Sequence, residues 1–136
     1  MPPPVGEDRR DHGDNERFQP AGSRVGQFLL GDGRVGARSV LAAGVAEEAA
    51  RERIGGQDLV LPRAMSWAAG FMRAKGSNLY GPGGRTLGHS GWGGSCAFAD
   101  PDLRLSGAYV MNRQSSALLD DPRARRLIEA AYAALS

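Results

Sequence analysis

Leu87-Gly88-His89-Ser90-Gly91-Trp92-Gly93-Gly94-Ser95 is the stretch from which the rest of the chain is read. Four glycines fall within the seven residues from Gly88 to Gly94. Each loses more conformational freedom on ordering than any other residue would, so an ordinary strand avoids them. Glycine at this density permits close approach of another backbone or of a ligand. A strand that carries His89 and Ser90 beside bare backbone presents main-chain groups to a bound molecule while its polar side chains face a cleft. The other reading is a glycine-rich hairpin with a solvated histidine. Both place a turn between two strands.

The flanking segments agree with strands. Arg85 to His89 reads as one and Ser95 to Ala99 as the next; Asp100-Pro101-Asp102 then turns the chain into Leu103 to Met111. Leu105, Gly107, Tyr109 and Met111 share one face of that segment by period-two alternation. Upstream, Trp67-Ala68-Ala69-Gly70-Phe71-Met72 also reads as a strand, and Gly81-Pro82-Gly83-Gly84 closes the loop after it with strong turn chemistry. Downstream, Asp121 is a helix cap, Pro122 suits the first helical position, and Leu127, Ile128, Ala131, Tyr132 and Leu135 form a stripe. An α+β fold follows: an antiparallel sheet of three or four strands, with the helix Pro122 to Leu135 on one face.

The amino-terminal half is less strongly patterned. Val25 to Leu30 is a short apolar run, broken by Gly31-Asp32-Gly33-Arg34-Val35-Gly36. Leu41 to Ile54 favours a helix through its alanines and the Glu47/Arg51 pair, with Ser39 as a weak cap and Gly55-Gly56 as the stop. Residues 31–36 match the G-x-G-x-x-G of dinucleotide-binding turns. That chemistry needs a helix amino terminus aimed at the pyrophosphate and an acid ending the next strand. Glu52 lies at the right distance but inside the expected helix, and Leu59-Val60-Leu61 leads to Pro62-Arg63. A plain turn is the preferred reading.

Composition narrows the function. Met1 to about Arg24 is Pro, Gly, Asp, Glu, Asn and Arg with almost nothing to bury, and is expected to be a disordered tail preceding a domain over residues 25–136. At 136 residues one core is the ceiling. The net charge of +2 comes from dispersed basic residues with acidic neighbours, sixteen of the seventeen being arginine, so no nucleic-acid surface is read. No signal sequence or membrane-spanning run is read, which gives a cytoplasmic expectation. One cysteine, Cys96, and two histidines, His12 and His89, lack ligand spacing, and no metal or other cofactor is expected. Cys96 reads as a small hydrophobe, not as a partner for His89.

The residues Gln57-Asp58-Leu59-Val60-Leu61-Pro62, Trp67 to Met72, Gly88 to Ser95, Phe98-Ala99-Asp100-Pro101 and Tyr109-Val110-Met111-Asn112-Arg113 together resemble the carboxy-terminal part of beta-lactamase-related serine hydrolases. That group includes class C beta-lactamases, penicillin-binding carboxypeptidases and esterases, and the resemblance runs from about Phe28 to Ala134. It implies a partial sheet of that fold and an active-site strand motif, His-x-Gly, matched by His89-Ser90-Gly91. His89 is then the catalytic candidate, and Ser90, Gly91, Trp92 and Gly93 the substrate and oxyanion candidates, with the Trp92 N–H as one oxyanion donor. The implied substrate is a small ester, amide or beta-lactam. A neutral imidazole attracts a substrate carboxylate less than an ammonium does, which favours an ester or peptide-like molecule.

Two family motifs are missing. The nucleophile of the group lies in Ser-x-x-Lys, and with Lys75 as the sole lysine that serine would have to be residue 72, which is Met72. Tyr-x-Asn or Ser-x-Asn is absent as well: Tyr80 precedes Gly81-Pro82, and Tyr109 stands three residues before Asn112. The expectation is therefore a carboxy-terminal piece of a longer enzyme, inactive alone, with exposed apolar sheet and an unpaired edge that promote self-association. The competing expectation is a small non-catalytic module that binds through residues 88–95.

Overall fold

The computed structural model describes residues 30–135. Its centre is a meander of antiparallel strands: β1 (Arg34–Val35) and β2 (Arg38–Ser39) form a separate two-stranded hairpin, and six further strands make one sheet. These are β3 (Ile54–Gln57), β4 (Ala64–Trp67), β5 (Met72–Arg73), β6 (Leu87–Ser90), β7 (Cys96–Asp100) and β8 (Leu105–Tyr109), hydrogen-bonded in that order. Two helices with both ends among the described residues accompany them, α1 (Val45–Ala50) and α2 (Pro122–Ala133).

The sheet has more strands than the periodicity predicts, for two local reasons. The run from Trp67 to Met72 is split by a tight turn, in which Gly70 takes φ +79° and the Ala68 N–H donates to Phe71 O at 2.8 Å. The helix expected over Leu41 to Ile54 is confined to α1. It opens at Gly44 (φ +80°) without a side-chain cap and ends at Arg51, whose extended backbone leads into the sheet through Arg53 N–H to Trp67 O, 2.8 Å. Gly55 and Gly56 thus lie in β3 and are no helix stop; Gly56 has φ +131° and pairs with Met65. Glu48, not Glu47, meets Arg51, at 3.0 Å.

Residues 31–36 form a turn, with the Arg34 N–H on Gly31 O at 3.0 Å, and continue into the β1–β2 hairpin. No helix amino terminus follows directly, so the strand–turn–helix geometry of a dinucleotide site is not built there. The apolar run Val25 to Leu30 and the tail before it lie outside the described residues apart from Leu30.

One face of the sheet carries the core. Cross-strand partners share a face, and Gly88, Phe98 and Gly107 stand side by side on β6, β7 and β8. The ring of Phe98 fits because Gly107 has no side chain: a Cβ there would lie 2.8 Å from Phe98 Cε1. Tyr80, Met65, Met72 and Phe98 are buried against Ala124, Ile128 and Tyr132 of α2. Helix α2 begins as its sequence predicts, the Asp121 carboxylate accepting from Arg123 N–H at 2.9 Å with Pro122 at the first position. Its buried stripe is narrower than expected. Ala124, Ile128 and Tyr132 repeat every four residues, whereas Leu127 and Leu135 face solvent.

Helix α2 is locked at its far end by Tyr132, whose hydroxyl donates to Asp100 Oδ2 at 2.7 Å. Asp100 is buried and also accepts from Asp102 N–H and Leu103 N–H, so the carboxylate that shapes the β7–β8 turn also docks the helix. On the other face, Leu87 and Ala99 line a cavity with Ala46 and Ala50 of α1.

Candidate active site

Strand β6 ends in the turn that joins it to β7, and this places the candidate residues. His89 is exposed, with Nδ1 3.0 Å from Ser90 O and its ring 6.3 Å from that of Trp67 at 52°. Trp67 is itself held, its Nε1–H donating to Asp58 Oδ2 at 3.2 Å. Asp58 Oδ1 accepts from Val60 N–H and Leu61 N–H at 2.8 and 2.9 Å, and the bonds from Leu61 and Val60 hold this carboxyl below its usual value.

Ser90 points the other way. Its Oγ lies 2.9 Å from Tyr80 Oη, and Tyr80 Oη–H also reaches Met72 Sδ at 3.2 Å. Burial pushes the Tyr80 phenol well above its ordinary value, so it stays a neutral hydrogen-bonding group. His89 and Ser90 are thereby separated on the strand, and the serine hydroxyl belongs to the side covered by α2.

At Gly91 the N–H donates to Ser95 O at 2.8 Å, and a Cβ would come 2.5 Å from Ser95 Oγ. Gly93 and Gly94 take φ +93° and +115°, which a side chain would strain. Trp92, between Gly91 and Gly93, is 73% exposed, and among the described residues no acceptor faces its N–H.

Cys96 pairs with Ser90, while His89 pairs with Ala97, so the thiol shares the serine's face and not the histidine's. It is buried, and burial raises its pKa, which leaves it a protonated core residue. No group of three His, Cys, Asp or Glu among the described residues is placed to hold a metal ion; His12 lies outside them.

The sequence reading missed three supports of this site: Tyr80, the Asp58–Trp67 pair, and a network behind the turn. In that network the Asp121 carboxylate, its side chain 2% exposed, meets Arg123 Nη2 at 2.9 Å and Ser115 Oγ at 2.6 Å. The side-chain bonds from Arg123 and Ser115 hold Asp121 far below the ordinary carboxyl range. Asp121 is legible as a cap, but its second role depends on the loop from Arg113 to Leu119 returning to the glycine turn, and no local pattern signals that.

The Beta-lactamase family model matches residues 9–132. The chain belongs to the beta-lactamase family. Among solved structures it is similar to a penicillin-binding protein homolog from Caulobacter crescentus, at 54% identity and TM-score 0.79, covering 84% of this chain and 31% of that one. It is similar also to a family VIII carboxylesterase at 39% identity and TM-score 0.75, covering 82% of this chain and 30% of that one. A beta-lactamase from Mycobacterium bovis shares the fold at 23% identity and TM-score 0.59, over 79% of this chain and 40% of its own. The chain thus spans under half of each of these structures. No curated protein matches it. As a member of this family it has the six-stranded antiparallel sheet and carboxy-terminal helix described above, and no helix among its described residues is long and apolar enough to cross a membrane.

Proposed function

We propose that these residues form the oxyanion wall of a serine hydrolase that cleaves a small ester, amide or beta-lactam through an acyl-serine. The nucleophile, in Ser-x-x-Lys, and the Tyr-x-Asn motif are supplied by sequence outside these 136 residues, which contain neither. The observation that carries the reading is the Trp92 N–H. It follows His89-Ser90-Gly91 at the end of β6, faces no acceptor among the described residues, and belongs to a residue that is 73% exposed. Such a donor, fixed before the reaction, stabilises the negative charge that develops on a carbonyl oxygen under attack.

His89 lines the same strand end and is assigned to orient substrate or move a proton there. Gly91 and Gly93 belong to the same wall through their backbone, the Cβ space of each being taken by Ser95 Oγ and by the Gln114 side chain. Ser90 contributes through Tyr80, which ties the strand to the core. The ester-like relative, at 39% identity, favours an ester over a beta-lactam, in line with a histidine where a lysine would attract a carboxylate.

The test is capture from cell extract with an antibody against α2, followed by labelling with a fluorophosphonate. The expected product is a labelled chain longer than 14.4 kDa with the label on a serine of Ser-x-x-Lys. An unlabelled 14.4 kDa chain, or a label on a serine within these 136 residues, would overturn the proposal. The first of these outcomes would leave a non-catalytic binding module as the account.

A further inference from the structure

The turn that carries Trp92 is gripped from behind by side chains that take no part in the family motif. Gly93 O accepts from Ser115 N–H at 2.9 Å, Ser115 Oγ–H at 3.3 Å and Arg123 Nη2–H at 3.2 Å. The Gly93 N–H donates to Ala117 O at 3.2 Å. Arg123 is fixed in turn, with Nε on Asp121 Oδ1 at 3.0 Å and Nη1 on Arg113 O at 2.8 Å. The Asp121 carboxylate fills the place of the missing side chain at Gly94, where a Cβ would meet Oδ2 at 2.5 Å.

These contacts bear on the orientation of one peptide plane. The Gly94 N–H donates to Gly91 O at 3.3 Å, turning that carbonyl toward the clamped side. The Gly91–Trp92 peptide is trans and planar, so its N–H points opposite to its carbonyl. Holding Gly94 therefore aims the Trp92 N–H away from the clamp, toward open space.

From this geometry we infer that Ser115, Asp121 and Arg123 are positioning residues that fix the direction of the Trp92 N–H. The inference rests on the oxyanion reading for its chemical meaning, but the clamp can be tested without it. Nothing in the network requires the nucleophile to be present, and a preorganised donor costs no reorganisation when charge develops.

The test is nuclear magnetic resonance on the 136-residue chain, comparing wild type with Ser115→Ala, Ser115→Thr and Arg123→Gln, all of which keep the Asp121 cap. Ser115→Ala and Arg123→Gln are expected to shift the Trp92 amide resonance. They should also speed exchange of the Gly93 and Gly94 amides about tenfold, the scale of one net hydrogen bond. Ser115→Thr, which restores a hydroxyl, should return both toward wild type. Unmoved resonances at Trp92, Gly93 and Gly94 would overturn the inference. So would equal changes throughout β7 and β8, which would reduce the network to general stability. Butyrate, added as an oxyanion probe, should move the Trp92 amide in the wild-type chain. If the clamp variants behave as expected and butyrate moves nothing, the clamp stands and the oxyanion reading falls.

Discussion

Gly88 shows how far one missing side chain shapes this molecule. A Cβ there would meet Ala97 O and the Tyr80 ring at 2.7 Å each, and neither a strand carbonyl nor a buried ring has room to retreat. Gly88→Ala is expected to destabilise the chain by roughly 1–3 kcal/mol, the usual cost of overpacking, measured as a lower urea midpoint with an unchanged slope. His89 is exposed and its ring neighbour is the half-buried Trp67, so His89→Ala should change stability by no more than about 0.5 kcal/mol in the same measurement. In a longer form of the protein that carries Ser-x-x-Lys, the same substitution should lower turnover while fluorophosphonate labelling persists. Unchanged turnover would remove His89 from the site.

Helix α2 is held at both ends by carboxylates of different kinds. At its start Asp121 is ionised and caps the backbone; at its end Tyr132 donates to the buried Asp100. Tyr132→Phe leaves the ring in place and strips a donor from a buried carboxylate, at an expected cost of about 1–3 kcal/mol. Thermal unfolding of the two chains side by side would measure it, and equal midpoints would show that water replaces the phenol. Between these ends the helix contributes only Ala124, Ile128 and Tyr132 to the core, a narrow seam that leaves Leu127 uncovered.

Across the whole molecule, the sheet ends in β3 on one side and β8 on the other. Neither strand has a partner on its outer edge among the described residues. Strand β8, Leu-Ser-Gly-Ala-Tyr, carries no charge to discourage pairing, and Leu59 and Val60 in the loop before β4 are almost wholly exposed. The isolated chain should associate in sedimentation experiments, and Ala108→Lys on β8 should weaken that association; a monodisperse wild-type chain would contradict both. The titrating groups set a second whole-molecule property. Asp121 is depressed, so the folded state binds fewer protons than the unfolded one. That stability is complete above the ordinary aspartate range, about pH 4, and is lost on acidification. Burial raises the Tyr80 phenol, and burial with the Asp100 carboxylate raises that of Tyr132. Their contribution is complete below about pH 10 and is lost as pH rises further. Asp121→Asn should flatten the acid limb of a stability profile, and Tyr132→Phe the alkaline limb.

The sequence by itself determined the features that depend on neighbours in the chain. Turn chemistry at Asp100-Pro101-Asp102, alternation through β8, and the Asp121-Pro122 start of α2 are local, and each appears within a residue or two of its expected place. The glycine-rich turn that follows Ser90 was legible for the same reason. Tertiary structure decided what depends on distant partners. Residues 54–57 have glycines that suit a helix stop, but β4 offers them a strand to pair with, and pairing prevails over local preference. The alternating pattern places Ser90 on a face, yet only the fold brings Tyr80 to it. Asp121 reads as a cap, and only the return of the chain through Ser115 turns it toward Gly94. Hydrogen bonds between residues far apart in sequence leave no periodic trace, because they are set by where the chain returns and not by which residues stand next to each other.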